Sequence, residues 1–237
     1  MLIAGFPAGP WGTNCYVVAT GPGTECVIID PGKDAAEGVD AVVREHKLKP
    51  VSVLVTHGHV DHMWCVAPVA GTYDATAYIH PKDRHLLANP MAGMSAETTA
   101  MLLGGKYEFA EPDRVEEITD GRTLELAGLE FLVDHTPGHT EGSVTFRTAY
   151  DDADIAEVLF SGDLLFQGSI GRTDLPGGDH ATMLRSLREK VLTLRDNIVV
   201  LPGHGDQTSI GQERATNPYL LDLLDGDGAT PPITRGL

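Results

Sequence analysis

Short runs of β-branched and apolar residues, closed by Gly and Pro, shape the first part of the chain. Segments 14–20 (NCYVVAT) and 25–30 (ECVIID) predict strands separated by Gly21-Pro22-Gly23, and Pro31-Gly32 breaks the second. Over 35–47 the apolar residues Ala36, Val39, Val42 and Val43 fall near helical spacing, and Pro50 ends the pattern. Segment 51–55 (VSVLV) is apolar almost throughout, as in a strand covered on both faces. A helix starting within 64–70 and a strand over 76–79 follow. Further strands are expected at 122–126, 129–133, 143–146, 156–160 and 198–201. The best amphipathic helix is 179–195, with Met183, Leu184, Leu187, Val191 and Leu194 on one stripe. A terminal helix over 210–224 is interrupted at Pro218. Segment 88–113 mixes Gly, Met and polar residues without a period and predicts a surface excursion, a lid candidate.

Strands outnumber helices and fall in two groups, each followed by helical stretches. The expectation is an α+β fold with two sheets inside and helices outside, one domain over 1–225 and a flexible tail over 226–237. The 17 Lys and Arg against 34 Asp and Glu give a formal net charge of −17, which argues against a nucleic-acid partner because a phosphate backbone needs a positive surface. No apolar run of about 18 residues exists, so no membrane partner is expected. Three scattered cysteines (Cys15, Cys26, Cys65) and the lack of a visible signal peptide point to a reducing, cytoplasmic setting.

The chemistry lies in the histidines. Thr56-His57-Gly58-His59-Val60-Asp61-His62 follows directly on VSVLV, which puts the string at the C-terminal end of a buried strand, where α/β proteins place ligands. His57 and His59 point the same way if the segment is extended, and Asp61 and His62 come from the turn beyond. Three other apolar runs end alike: 130–133 leads to His139, 158–160 to Asp163 and 198–201 to His204, each preceded by Gly. Five imidazoles and two carboxylates exceed what one tetrahedral zinc takes. With no Cys in the set, they form an N/O site suited to two divalent metal ions, zinc ahead of iron or manganese.

In order, THGHVDH, TPGHT, SGD and PGHG resemble the metallo-β-lactamase superfamily, from NCYVV at 14 to the segment at 210–220. The stretches SGDLLFQGSIGRTDLPGGD and GHGDQTSIGQERATNPYL are similar to the short glyoxalase II-like hydrolases. The resemblance implies a four-layer αβ/βα sandwich. It assigns His57, His59 and His139 to one metal, Asp61, His62 and His204 to a second, and Asp163 to a bridge. It also implies hydrolysis of the thioester of an acylated small thiol, S-lactoylglutathione-like, by a metal-bridging hydroxide that Asp61 helps to orient. Arg172 matches a basic position that holds the thiol carrier in the longer glyoxalase II enzymes, while Asp174 stands where those have an aromatic. Those enzymes continue into a C-terminal helical domain that supplies other basic groups; here 33 residues follow His204, with Arg214 and Arg235 the basic ones, so that pocket is expected to be missing in part. The carrier therefore stays open between glutathione, another low-molecular-weight thiol and something else. The alternative is a mononuclear iron persulfide dioxygenase using His57, His139 and Asp163.

Overall fold

The structure, a computed structural model, describes residues 1–102 and 107–226. The chain first lays down β1 (Leu2–Ala8), β2 (Thr13–Ala19) and β3 (Glu25–Ile29) as an antiparallel meander. Helix α1 (Ala35–His46) then crosses to β4 (Lys49–Leu54), parallel to β3. The short α2 (Val60–Met63) and α3 (Val66–Tyr73) lead to β5 (Thr76–Ile79). After α4 (Pro81–Arg84), a 3₁₀ turn over Pro90–Gly93 and α5 (Ala96–Leu102), β6 (Val115–Glu117) completes a six-stranded sheet in sequential order.

The second sheet starts with the antiparallel run β7 (Thr123–Leu126), β8 (Leu129–His135), β9 (Val144–Ala149) and β10 (Glu157–Gly162). A two-residue hairpin, β11 (Leu165–Phe166) and β12 (Ser169–Ile170), precedes α6 (His180–Ser186). The chain then enters β13 (Ile198–Pro202), parallel to β10, and β14 (Thr208–Ser209). Helices α7 (Ile210–Thr216) and α8 (Pro218–Asp225) close the described chain.

Alternation along the strands explains why so many runs are wholly apolar. Tyr16, Val18, Val27, Ile29 and Leu54 face the second sheet, where Phe131, Val133, Phe146 and Phe160 meet them. The intervening Cys15, Val17, Cys26, Ile28 and Val53 face α1 and α3 through Ala35, Val39, Val66 and Val69. On the far side Leu159, Ile198 and Val200 pack against Met183, Leu187 and Leu220. Both faces of each sheet are thus covered, giving four layers with helices outside. Removing a large side chain from water in this way contributes about 1.5–3 kcal/mol each, so the layered order is driven by burial.

The predicted strands and helices all appear, with shifted ends. The 179–195 helix is shorter: Asp179 caps it by accepting from the Thr182 amide at 2.7 Å, and the turn widens to a π-helical Leu187–Val191 with a Leu192 N to Leu187 O bond. That turn keeps Met183, Leu187 and Val191 buried. Strand β1 was not expected. It carries Gly5 and Pro7 and lies at the edge of its sheet, where a missing amide costs no ladder bond. The predicted tail lies outside the described residues except for Gly226. No helix among the described residues is long and apolar enough to cross a membrane.

Candidate metal centre

The seven predicted residues meet at one rim of the sheet pair. His57 follows β4, His139 lies in the turn between β8 and β9, Asp163 follows β10 and His204 follows β13. The THGHVDH string is extended to His59, which precedes α2 with ψ 144°. Asp61 and His62 come from that single helical turn. The rings of His57 and His59 lie 4.9 Å apart, and those of His57 and His139 4.6 Å. Three donor groups form: His57, His59 and His139; His57, His62 and Asp163; and Asp61, His62 and His204. Asp163 Oδ1 lies 3.2 Å from His62 Nε2, and its Oδ2 lies 3.4 Å from His139 Nε2 and 3.7 Å from His204 Nε2. The carboxylate therefore stands between the two outer groups.

Buried hydrogen bonds fix which ring nitrogens face inward. His139 Nδ1 donates to the Arg172 carbonyl at 2.7 Å, so its Nε2 keeps a lone pair. His62 Nδ1 donates to Asp30 Oδ2 at 2.8 Å. His57 Nδ1 lies 3.1 Å from Thr56 Oγ1, whose own hydrogen goes to Asp30 Oδ2 at 2.6 Å. His57 thus also presents a bare Nε2, 3.1 Å from that of His139, and His62 Nε2 stands 3.3 Å from His204 Nε2. Between His57 and His139 two lone pairs face each other without an intervening proton and repel, and a cation between them would remove the repulsion. The buried Asp163 Oδ1 makes no hydrogen bond. The residues present fit divalent cations.

The electrostatics divide the histidines, holding His57 and His59 neutral and favouring a proton on His62 and His204 that a cation would replace. Burial, reinforced by His62 and His139, pushes the His57 pKa well below its usual value; burial and then His139 bring His59 to about 3. Both imidazoles are held neutral, the form that binds metal. Burial alone raises the pKa of Asp61 and Asp163, but His62 and His204 together outweigh it in each case, and both stay below the ordinary carboxylate range. Burial opposes protonation of His62 and His204, yet Asp163 and Asp61 raise both.

Scaffold contacts missed in the sequence hold the motif loops. Asp83 of α4 is buried and accepts from the amides of Gly58 and Gly142 at 2.8 and 2.7 Å and from Thr140 Oγ1 at 2.7 Å, tying the His57–His62 loop to the His139 loop. Nothing in YIHPKDRHLL singled it out. Asp30 had a signal: it ends an apolar run like the other ligand-bearing segments, here followed by Pro-Gly. Strand β2 also reaches across to the His204 loop. The Asn14 amide donates to the Gly203 carbonyl at 2.7 Å, its side chain to the carbonyls of Pro202 and Gly205 at 3.0 and 2.9 Å, and Tyr16 Oη to Pro202 O at 2.7 Å. Thr13 Oγ1 donates to Asp61 Oδ2 at 3.1 Å. At Gly203 a Cβ would collide with Asp163 Oδ1 and His62, and at Gly138 (φ 139°) with the backbone of Met183.

Other singled-out residues take structural places. His80 Nδ1 accepts from the Lys82 amide, and its ring stacks on His135 at 4.1 Å. Cys65 is buried and belongs to none of the donor groups. Tyr107 packs on Trp64. From the 88–113 excursion, Met94, Ser95 and Thr98 line the cavity over the cluster, as do Trp11 and Arg172. Residues 103–106 of that excursion lie outside the described chain.

The sequence model of the metallo-beta-lactamase superfamily matches residues 8–204. The chain is 34% identical over 222 residues to the hydroxyacylglutathione hydrolase GloC of Haemophilus influenzae, covering 93% of this chain and 98% of that protein. Among solved structures it is similar to BLEG-1, a B3 metallo-beta-lactamase, at 40% identity and TM-score 0.79, covering 92% and 99% of the two chains. It is also similar to TTHA1623 in a di-iron-bound form, at 37% identity and TM-score 0.72, covering 92% and 100%. With the four-layer fold and the His–Asp cluster at its rim, the chain belongs to the metallo-beta-lactamase superfamily.

Proposed function

We propose that this protein is a metal-dependent hydrolase that cleaves the thioester of an acylated small thiol. The observation that carries the reading is the pair of donor triads with Asp163 between them. His57, His59 and His139 would hold one cation and Asp61, His62 and His204 the other, with the Asp163 carboxylate available to both. Bound there, two divalent cations supply a nucleophilic water at neutral pH and polarise an acyl oxygen. The chain supplies the rest. Asp61 is kept as a carboxylate by His62 and His204 and steadied by Thr13, which suits it to orient the attacking water. Trp11, Met94 and Leu175 line an apolar wall for the acyl-thiol. Neither Ser nor Cys is needed as a nucleophile. The likeness to GloC supports a thioester substrate, and the likeness to a di-iron relative leaves zinc, iron and manganese as the metals to test. The three free buried cysteines suit a reducing compartment such as the cytoplasm.

Elemental analysis of protein purified without added metal is expected to give two divalent ions per chain, and that protein is expected to turn over S-lactoylglutathione or another small acyl-thiol. No turnover of any such ester defeats the proposal. The 40% identity to a B3 metallo-beta-lactamase favours one second reading, hydrolysis of a β-lactam amide; a cephalosporin assay on the same sample separates the two. One iron per chain with oxygen uptake on a glutathione persulfide establishes the dioxygenase instead.

A further inference from the structure

The thiol that carries the acyl group is set by the wall of the site cavity, a space of about 150 Å³. Trp11, Val60, Met94 and Leu175 make that wall apolar, and Ser95 and Thr98 add hydroxyls. Arg172 is the single Lys or Arg among the described residues lining it. Its guanidinium is engaged: Nε and Nη2 donate to Oδ1 and Oδ2 of Asp174 at 2.7 and 2.8 Å, a two-pronged, charge-assisted pair. Its backbone is fixed as well. The Arg172 carbonyl accepts from His139 Nδ1, and Gly171 packs so closely on the Asp163 carbonyl that a Cβ has no room. The backbone is therefore held in place by the metal centre, and the pair parts only by rotation of the exposed Asp174 side chain away from Arg172.

The pair adds no net charge to the wall. The whole chain carries −17, and two divalent cations would offset only about four of those charges. A carboxylate-bearing carrier approaches against that field, and the one cation it meets among the described lining residues is reached by displacing Asp174. We infer that Asp174 masks Arg172, and that the site selects acyl esters of uncharged thiols bearing amide or hydroxyl groups over esters of carboxylate-bearing thiols such as glutathione. This inference rests on the thioester reading above.

The test uses metal-loaded full-length protein and one acyl group, lactoyl, on two thiols: N-acetylcysteamine, which is uncharged, and glutathione. In the wild type kcat/KM is expected to favour the N-acetylcysteamine ester. In Asp174→Asn the ratio should move about tenfold toward the glutathione ester, through KM. Calorimetry with S-methylglutathione, which cannot be hydrolysed, should show binding about tenfold tighter in Asp174→Asn than in the wild type. A wild-type preference for the glutathione ester, or a ratio and an S-methylglutathione affinity unmoved by Asp174→Asn, overturns the masking. Failure to turn over these or any other small acyl-thiol overturns the thioester reading itself, and the S-methylglutathione comparison then still decides whether Arg172 is masked.

Discussion

Asp30 Oδ2 accepts the Nδ1 hydrogen of His62 at 2.8 Å, and through the hydroxyl of Thr56 the same oxygen also orients His57. One buried carboxylate outside the donor set therefore aims a nitrogen in each half of the metal centre. Its other oxygen is taken by the Thr56 amide at 2.8 Å. Asp30→Asn turns an amide NH₂ toward groups that are themselves donors. The expected result is a 10–100-fold loss of metal affinity, read by titrating the metal-free protein with zinc, with the far-ultraviolet circular dichroism unchanged.

Asp83 works on the scaffold in a comparable way. Asp83→Ala strands the Gly58 and Gly142 amides in the interior, while Thr140 Oγ1 keeps Ser143 Oγ at 2.7 Å, and each buried donor left unpaired costs about 1–3 kcal/mol. The variant is expected to lose about 3 kcal/mol or more of stability in urea unfolding of the metal-free protein. Asp83→Asn, which keeps an acceptor, should lose less.

His80 gives a pH dependence of known sign. Burial and the stacked His135 bring its pKa to about 4 from an ordinary 6.5, with Lys82 adding to the effect and Glu117 and Asp120 opposing it. Between those values the unfolded chain binds a proton that the folded chain refuses. This contribution to stability is complete above about pH 6.5 and declines as the pH falls toward about 4, below which it levels off. In His80→Asn, which retains a side-chain acceptor for the Lys82 amide, the urea midpoint should fall less over that interval than in the wild type.

Metal removal should destabilise the chain as a whole. The ligands come from segments 57–62, 139, 163 and 204, so bound cations hold together both sheets. At a free metal concentration 100 times Kd, one site adds about 2.7 kcal/mol by mass action. Chelation is expected to lower the melting temperature, and stoichiometric zinc to restore it. An unchanged melting curve means that the donor groups bind no metal.

The sequence alone determined the elements that bury both faces and the residues that carry the candidate chemistry. Runs such as VSVLV and ECVIID are apolar because each sheet is covered on both sides, and the His–Asp strings stand where those runs stop. The burial period and the chain breaks are local properties, so they can be read from local pattern. Strand β1 escaped because an edge position tolerates Gly5 and Pro7, and β11, β12 and β14 are too short to show a period. Only the tertiary structure decided what lies around the ligands. Asp83 reaches Gly58 and Gly142 across 25 and 59 positions, and Asn14 grips the His204 loop across more than 180. Such contacts depend on how two sheets stack, and a lone polar residue carries no mark of the partner that folding will bring to it. Arg172 is the sharpest case: the chain placed a cation beside the site, and the folded loop joined it to Asp174.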